Sequence, residues 1–110
     1  MSVEIRRSEE NPILIPLSEN QWEEDGAFNG CPVRDGNKIH FVYRAVSRPQ
    51  KIGGNELPLS TIGYVLSTDG IHFKNRHQFI KPEFEWEQYG CEDPRVTKMD
   101  GKFYIFYTAW

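Results

Sequence analysis

One stretch of this chain is written twice, and that repetition limits the fold more than any single motif. Asp35-Gly36-Asn37-Lys38-Ile39-His40-Phe41-Val42-Tyr43-Arg44-Ala45 returns as Asp100-Gly101-Lys102-Phe103-Tyr104-Ile105-Phe106-Tyr107-Thr108-Ala109. Each copy is a turn, then a run of β-branched and aromatic residues, then alanine. The offset is 65 residues at the turn and 64 at the tyrosine. Upstream, Trp22-Glu23 precedes Pro32-Val33 as Trp86-Glu87 precedes Pro94-Arg95-Val96. An isolated Asp-Gly says little, but this ordered series at one spacing marks a structural repeat.

Inside one unit the pattern reads as strands. The first runs through Pro32 and Val33 to the Asp35-Gly36 turn, where Asp-Gly favours a two-residue hairpin with positive φ at both central positions. The second is Ile39 to Ala45, with Ile39, Phe41 and Tyr43 on one face and His40, Val42 and Arg44 on the other. A loop of Pro, Gly and polar residues spans Ser47 to Ser60. The third strand, Thr61 to Ser67, turns at Thr68-Asp69-Gly70 into a fourth running from Ile71 towards Phe79. The expectation is a four-stranded antiparallel meander in an all-β chain without long helices. The later copy, Phe103 to Tyr107, is apolar on both faces, as a sheet covered on both sides by equivalent sheets would be.

Four-stranded units of about 65 residues point to radially stacked blades. The 110 residues then hold blade one, about 27–80, and the first half of blade two, about 90–110. The reading is therefore an amino-terminal part of a single β-propeller domain whose remaining blades lie elsewhere. Alone, such a piece is expected to fold marginally or to self-associate into a homo-oligomer, because its sheet edges are open.

Charge and composition exclude several classes. With 13 Lys and Arg against 16 Asp and Glu, the chain lacks the basic field of a nucleic-acid or membrane-surface protein. Its 7 Phe, 5 Tyr and 3 Trp argue against disorder. No stretch approaches the roughly 18 apolar residues of a membrane span, and residues 1–10 have no signal-peptide core. The expectation is a soluble, cytoplasmic chain without nucleic-acid or membrane partners. Cys31 and Cys91 lack metal-ligand spacing and read as reduced, partly buried thiols, although a disulfide also satisfies the sequence. His40, His72 and His77 likewise show no ligand spacing, so no metal is expected. Gly53-Gly54 marks a loop and no phosphate cradle, since neither GxxxxGK nor GxGxxG is present.

Three constellations carry candidate chemistry. In Gly90-Cys91-Glu92-Asp93-Pro94-Arg95 the proline holds Asp93 extended. Simple alternation then puts Arg95 on the side of Asp93 and turns Glu92 away. An ordinary structural ion pair is the alternative. In Phe28-Asn29-Gly30-Cys31-Pro32, Asn29 stands three residues before a proline, where Cys91 stands relative to Pro94; Asn-Gly is also common turn chemistry. The third is Arg44, on the partner face of an otherwise apolar strand, where burial without a partner is costly. It calls for a carboxylate or an oxygen-rich ligand. Trp22, Trp86 and Tyr89 suit either stacking on sugar faces or blade packing.

Taken together, Asn11-Pro12-Ile13-Leu14, Phe28-Asn29-Gly30, Tyr43-Arg44-Ala45, Ser67-Thr68-Asp69-Gly70-Ile71-His72-Phe73 and Glu92-Asp93-Pro94-Arg95-Val96 resemble the amino-terminal third of glycoside hydrolase family 130. That family comprises β-mannoside phosphorylases and related β-mannosidases built as five-bladed β-propellers. Five units of about 65 residues, roughly 325 in all, suit such a protein. The resemblance implies that Asp93 is the catalytic acid, its proton relayed to the glycosidic oxygen through the mannose 3-hydroxyl. Inorganic phosphate, the co-substrate, would attack C1 from the opposite face and give α-mannose 1-phosphate with inversion; no other cofactor is implied. It further implies that Asn29 and Arg44 bind the mannosyl unit, and that Arg95 either orients Asp93 or is structural. The family's phosphate-binding residues lie on later blades, so the 110 residues alone are expected to be inactive. The competing readings are an inverting β-mannoside hydrolase, a non-catalytic carbohydrate-binding propeller and a purely structural repeat.

Overall fold

The computed structural model describes residues 1–110, and its regular structure is almost wholly β. Strands β1 (Gly26–Asp35), β2 (Lys38–Val46), β5 (Ser60–Ser67) and β6 (Lys74–Ile80) form one antiparallel sheet in the order β1-β2-β5-β6. Strands β3 (Gln50–Ile52) and β4 (Asn55–Leu57) make a small hairpin. A single 3-10 turn at Glu85–Glu87 precedes the hairpin of β7 (Cys91–Met99) and β8 (Lys102–Ala109). No helix is long and apolar enough to cross a membrane.

The four-stranded meander is the one the sequence predicts, with two differences. The Ser47–Ser60 connection contains the β3–β4 hairpin, which closes on Gly53-Gly54, both at positive φ. The fourth strand begins at Lys74 and not at Ile71. Asp69 explains the delay: its Oδ1 accepts the backbone N–H groups of Ile71 and His72, each at 2.8 Å, while Ser67 Oγ accepts those of Asp69 and Gly70. Side-chain acceptors hold these donors in a turn, so the ladder starts later.

The two copies superpose at 64 residues throughout, including the turn. In the second hairpin Met99 pairs with Lys102, so Asp100-Gly101 is the loop, and both residues have positive φ as expected. In the first, Asp35 pairs with Lys38. The loop is therefore Gly36-Asn37, and of these two only Gly36 has positive φ. Asp35 belongs to the strand, where it accepts a 2.8 Å hydrogen bond from Lys98 Nζ.

Two clusters form the core, one on each face of the four-stranded sheet. Val42, Ile62 and Cys91 are buried between the sheets with Cys31, Tyr64, Ile80, Val96 and Tyr107 around them. On the other face Tyr43, Ala45 and Val65 are buried against Leu14, Trp22, Phe41 and Phe73. Burying a side chain such as Ile62 contributes about 1.5–3 kcal/mol. Both cysteines are free; burial pushes the Cys91 thiol up to about 11. Each sheet also carries a buried carboxylate latch. Tyr43 Oη donates to Glu23 Oε1 at 2.9 Å, and 64 residues on Tyr107 Oη donates to Glu87. Arg76 from β6 completes the first latch with three hydrogen bonds to Glu23, from Nε to Oε2 at 2.8 Å and to Oε1 at 3.2 Å, and from Nη2 to Oε1 at 2.6 Å. Trp22 packs near Tyr43, whereas its counterpart Trp86 is exposed and stacked on Phe84.

Candidate active site

The site forms where β1 and β7 each carry the same irregularity. In β1, Phe28 pairs with Arg44 but Cys31 pairs with Val42, so one extra residue is inserted. In β7, Glu92 pairs with Thr108 and Arg95 with Phe106, which repeats the insertion 64 residues later. Such bulges bend a strand and re-aim its side chains. The bulged residues with left-handed backbone are Asn29 (φ 50°) and Asp93 (φ 51°), and Asn and Asp tolerate that region better than other residues with side chains.

This overturns two expectations. Asn29 is the counterpart of Asp93, not of Cys91; aligning on the prolines misled because Pro94 lies inside the bulge and Pro32 beyond it. Asp93 is also not held extended by Pro94. The bulge turns its carboxylate across to the first sheet, where Asn29 Nδ2 donates to Asp93 Oδ1 at 2.7 Å.

Arg44 meets these two from β2. Its Nη1 is 3.6 Å from Asp93 Oδ1, and its Nη2 donates to Glu92 Oε1 at 2.9 Å. Its Nε donates to Ser60 Oγ at 3.0 Å, and its guanidinium lies 5.2 Å from the centre of the Phe28 ring. The predicted need of Arg44 for a carboxylate is thus met, and by Glu92, the residue expected to point away. Arg44 keeps 24% of its side chain exposed and Glu92 12%, so this pair is partly desolvated.

Arg95 does not orient the Asp93 carboxylate. The extra residue resets the alternation, and Arg95 Nη1 donates to the carbonyl oxygens of Pro94 at 2.7 Å and Asn29 at 3.4 Å. Its hold is on the backbone of the bulges. Sequence reasoning missed Glu92 and Ser60 as partners of Arg44; the only signal was the buried arginine with two adjacent carboxylates downstream. The histidines stay outside the site: His40 hydrogen-bonds Tyr64 Oη, His72 pairs with Asp69, and His77 pairs with the Asn75 carbonyl.

An amide donor, a carboxyl and a guanidinium converging from two sheets can bind a polyhydroxylated ligand while one acid faces it. A four-stranded antiparallel sheet packed against the β7–β8 hairpin, with polar groups at their shared end, is the arrangement of successive β-propeller blades. The chain belongs to glycoside hydrolase family 130: the family model described as β-1,4-mannooligosaccharide phosphorylase matches residues 5–110. The fold of that family is the five-bladed β-propeller. A β-1,2-mannobiose phosphorylase from Thermoanaerobacter sp. (strain X514) is 40% identical over 116 residues, which cover 96% of this chain and 37% of the relative. The β-1,2-mannobiose phosphorylase of Listeria innocua, solved with β-1,2-mannobiose, shares the fold at TM-score 0.79 and 23% identity, over 94% of this chain and 43% of that one. A further solved structure comes from work on GH130 glycoside hydrolases that target β-1,2 mannosidic linkages in Candida mannan. It is 30% identical with TM-score 0.75, over 96% of this chain and 34% of its own. The chain thus spans little more than a third of the curated relative's length.

Proposed function

We propose that these residues supply the acid and part of the mannosyl subsite of an inverting β-mannoside phosphorylase. The observation that carries the reading is the convergence of Asn29, Arg44 and Asp93, brought together from β1, β2 and β7. The phosphorylases among the relatives support the reaction class. Asp93 is the proton donor, relayed through the mannose 3-hydroxyl to the glycosidic oxygen. Asn29 and Arg44 bind the mannosyl hydroxyls and hold the Asp93 carboxyl in place. Arg95 fixes the two bulges and serves the site only through them. A single carboxyl suffices because phosphate is already an anionic nucleophile and needs no protein base, unlike the water of a two-carboxylate inverting hydrolase. Attack on C1 opposite the leaving oxygen gives α-mannose 1-phosphate and the shortened sugar. The reading needs no metal or further cofactor and places the reaction in the cytoplasm; the 110 residues by themselves turn nothing over.

The family's glycoside hydrolases favour a second reading, in which water replaces phosphate. The intact protein, incubated with β-1,2- or β-1,4-mannobiose with and without inorganic phosphate, separates the two. Mannose 1-phosphate formed only with phosphate is the expected result. Mannose released at equal rates with and without phosphate would establish the hydrolase.

A further inference from the structure

One guanidinium is shared by two carboxylates, and unequally. Arg44 Nη2 donates to Glu92 Oε1 at 2.9 Å, whereas Arg44 Nη1 stands 3.6 Å from Asp93 Oδ1. Glu92 keeps 12% of its side chain exposed and Asp93 keeps 41%. The less exposed pair is screened less by water and salt, so the Arg44 charge is directed mainly at Glu92. The repeat points the same way. Glu92 stands 64 residues after Phe28, and each immediately precedes a bulged residue of left-handed backbone. Phe28 places its ring 5.2 Å from the same guanidinium. Both copies of this position therefore grip Arg44, one by an aromatic face and one by a carboxylate. The third charged group near Asp93 is Arg95, whose Nη1 is taken up by the Pro94 and Asn29 carbonyls. The neighbouring strands present neutral groups: Asn29 from β1, Ser60 from β5 and Thr108 from β8. Tyr89 borders Arg44 and Glu92.

We infer that Glu92 is a positioning residue that keeps the proton on Asp93, an inference that rests on the reading of Asp93 as the proton donor. A general acid works only in its protonated form, and a cation beside a carboxyl favours the ionised form. Arg44 alone would hold the donor as a carboxylate with no proton to give. Glu92 removes that conflict. With Glu92 ionised, its charge and that of Arg44 cancel while Asp93 is protonated, and loss of the Asp93 proton leaves one negative charge in excess. In a partly desolvated site the uncompensated charge is the costly state. Neutralising Glu92 reverses the balance, because Arg44 then cancels only an ionised Asp93. The hydrogen bonds to Glu92 and Ser60 also fix Nη2 and Nε, which leaves Nη1 on the Asp93 side.

The pH dependence of kcat/KM for mannobiose, measured on the intact protein at saturating phosphate, tests this. Glu92→Gln keeps the shape and an acceptor oxygen and removes the charge. Its alkaline limb is expected about one pH unit below that of the wild type, so the rate is down about tenfold at alkaline pH and recovers towards acid pH. Glu92→Asp keeps the charge and should return the limb most of the way. Phosphate titrates identically in every assay, so the difference between proteins is what counts. A limb that stays in place, or a loss equal at every pH as misfolding would give, overturns the inference. If mannose is released without phosphate, the same profile is read from that reaction, which needs the same acid. Wild-type protein that turns over mannobiose neither with nor without phosphate would show instead that the proton-donor reading has failed. The charge link is then read without turnover, from the 13C carboxyl resonance of Asp93. Titration at lower pH in Glu92→Gln than in the wild type supports it, and coincident curves end it.

Discussion

Asn29 and Asp93 are one position in two copies of a repeat, and they hydrogen-bond to each other at 2.7 Å. Both have the left-handed backbone of a one-residue bulge. The same backbone device is thus used twice, once with an amide and once with an acid, and the contact between sheets is also the core of the site.

Asp93→Asn in the intact protein should lower kcat by about 10²–10⁴, the usual worth of a positioned general acid. The fold should survive, because Asn29 already occupies the equivalent strained backbone. Phosphorolysis rates beside a thermal melt check both halves. A lectin would lose no sugar affinity on the same change.

Arg44 and Glu92 should prove energetically coupled. A double-mutant cycle with Glu92→Gln and Arg44→Met, read by urea unfolding, is expected to give an interaction of about 1–3 kcal/mol. The pair is partly desolvated, so its value exceeds that of a surface ion pair. Additive single effects would mean that Glu92 does not hold the guanidinium.

The first carboxylate latch should respond unequally to its two ends. Tyr43→Phe removes one hydrogen bond, at a cost of about 0.5–1.5 kcal/mol. Glu23→Gln strands the Arg76 charge and should cost more, about 3–5 kcal/mol. Gly63→Ala is expected to destabilise as well, since its Cβ would come within 2.4 Å of the Tyr43 ring, with overpacking typically costing about 1–3 kcal/mol. Denaturation midpoints rank the three. Burial, and then the nearby Glu23 carboxylate, also hold the Tyr43 phenol well above its ordinary value, so its hydroxyl should resist alkaline titration until the chain unfolds.

His72 gives a pH test. Its hydrogen bond to Asp69, 2.7 Å away, and the charge of that carboxylate raise the imidazole above its ordinary 6.5. A raised folded value means the stabilisation is fully present below about 6.5 and is lost as pH climbs through the folded midpoint. NMR titration should show that midpoint above 6.5, returning towards it in Asp69→Asn.

Much of the fold was legible because its signals are local. Alternating apolar residues from Ile39 to Ala45 define a strand, and apolar Arg44 surroundings imply a carboxylate. The site was legible by its residue types and not by its geometry. Asp93 reads as pre-proline and extended, and Arg95 reads as its partner, only if the ladder is regular. One inserted residue changes both, and the energy of that insertion lies in packing between sheets, which no run of letters displays. The β3–β4 hairpin was hidden for a related reason: its three-residue strands are too short for a period to emerge.

The hairpin loops carry a warning for anyone comparing these copies by eye. Matching Asp35-Gly36 to Asp100-Gly101 threads the following strand one step out of place. In a two-sided sheet a single step exchanges inside for outside, so Arg44 would be counted with the tyrosine layer and Tyr43 with the guanidinium. Counting forward from Trp22 and Trp86 keeps every side chain on its proper face.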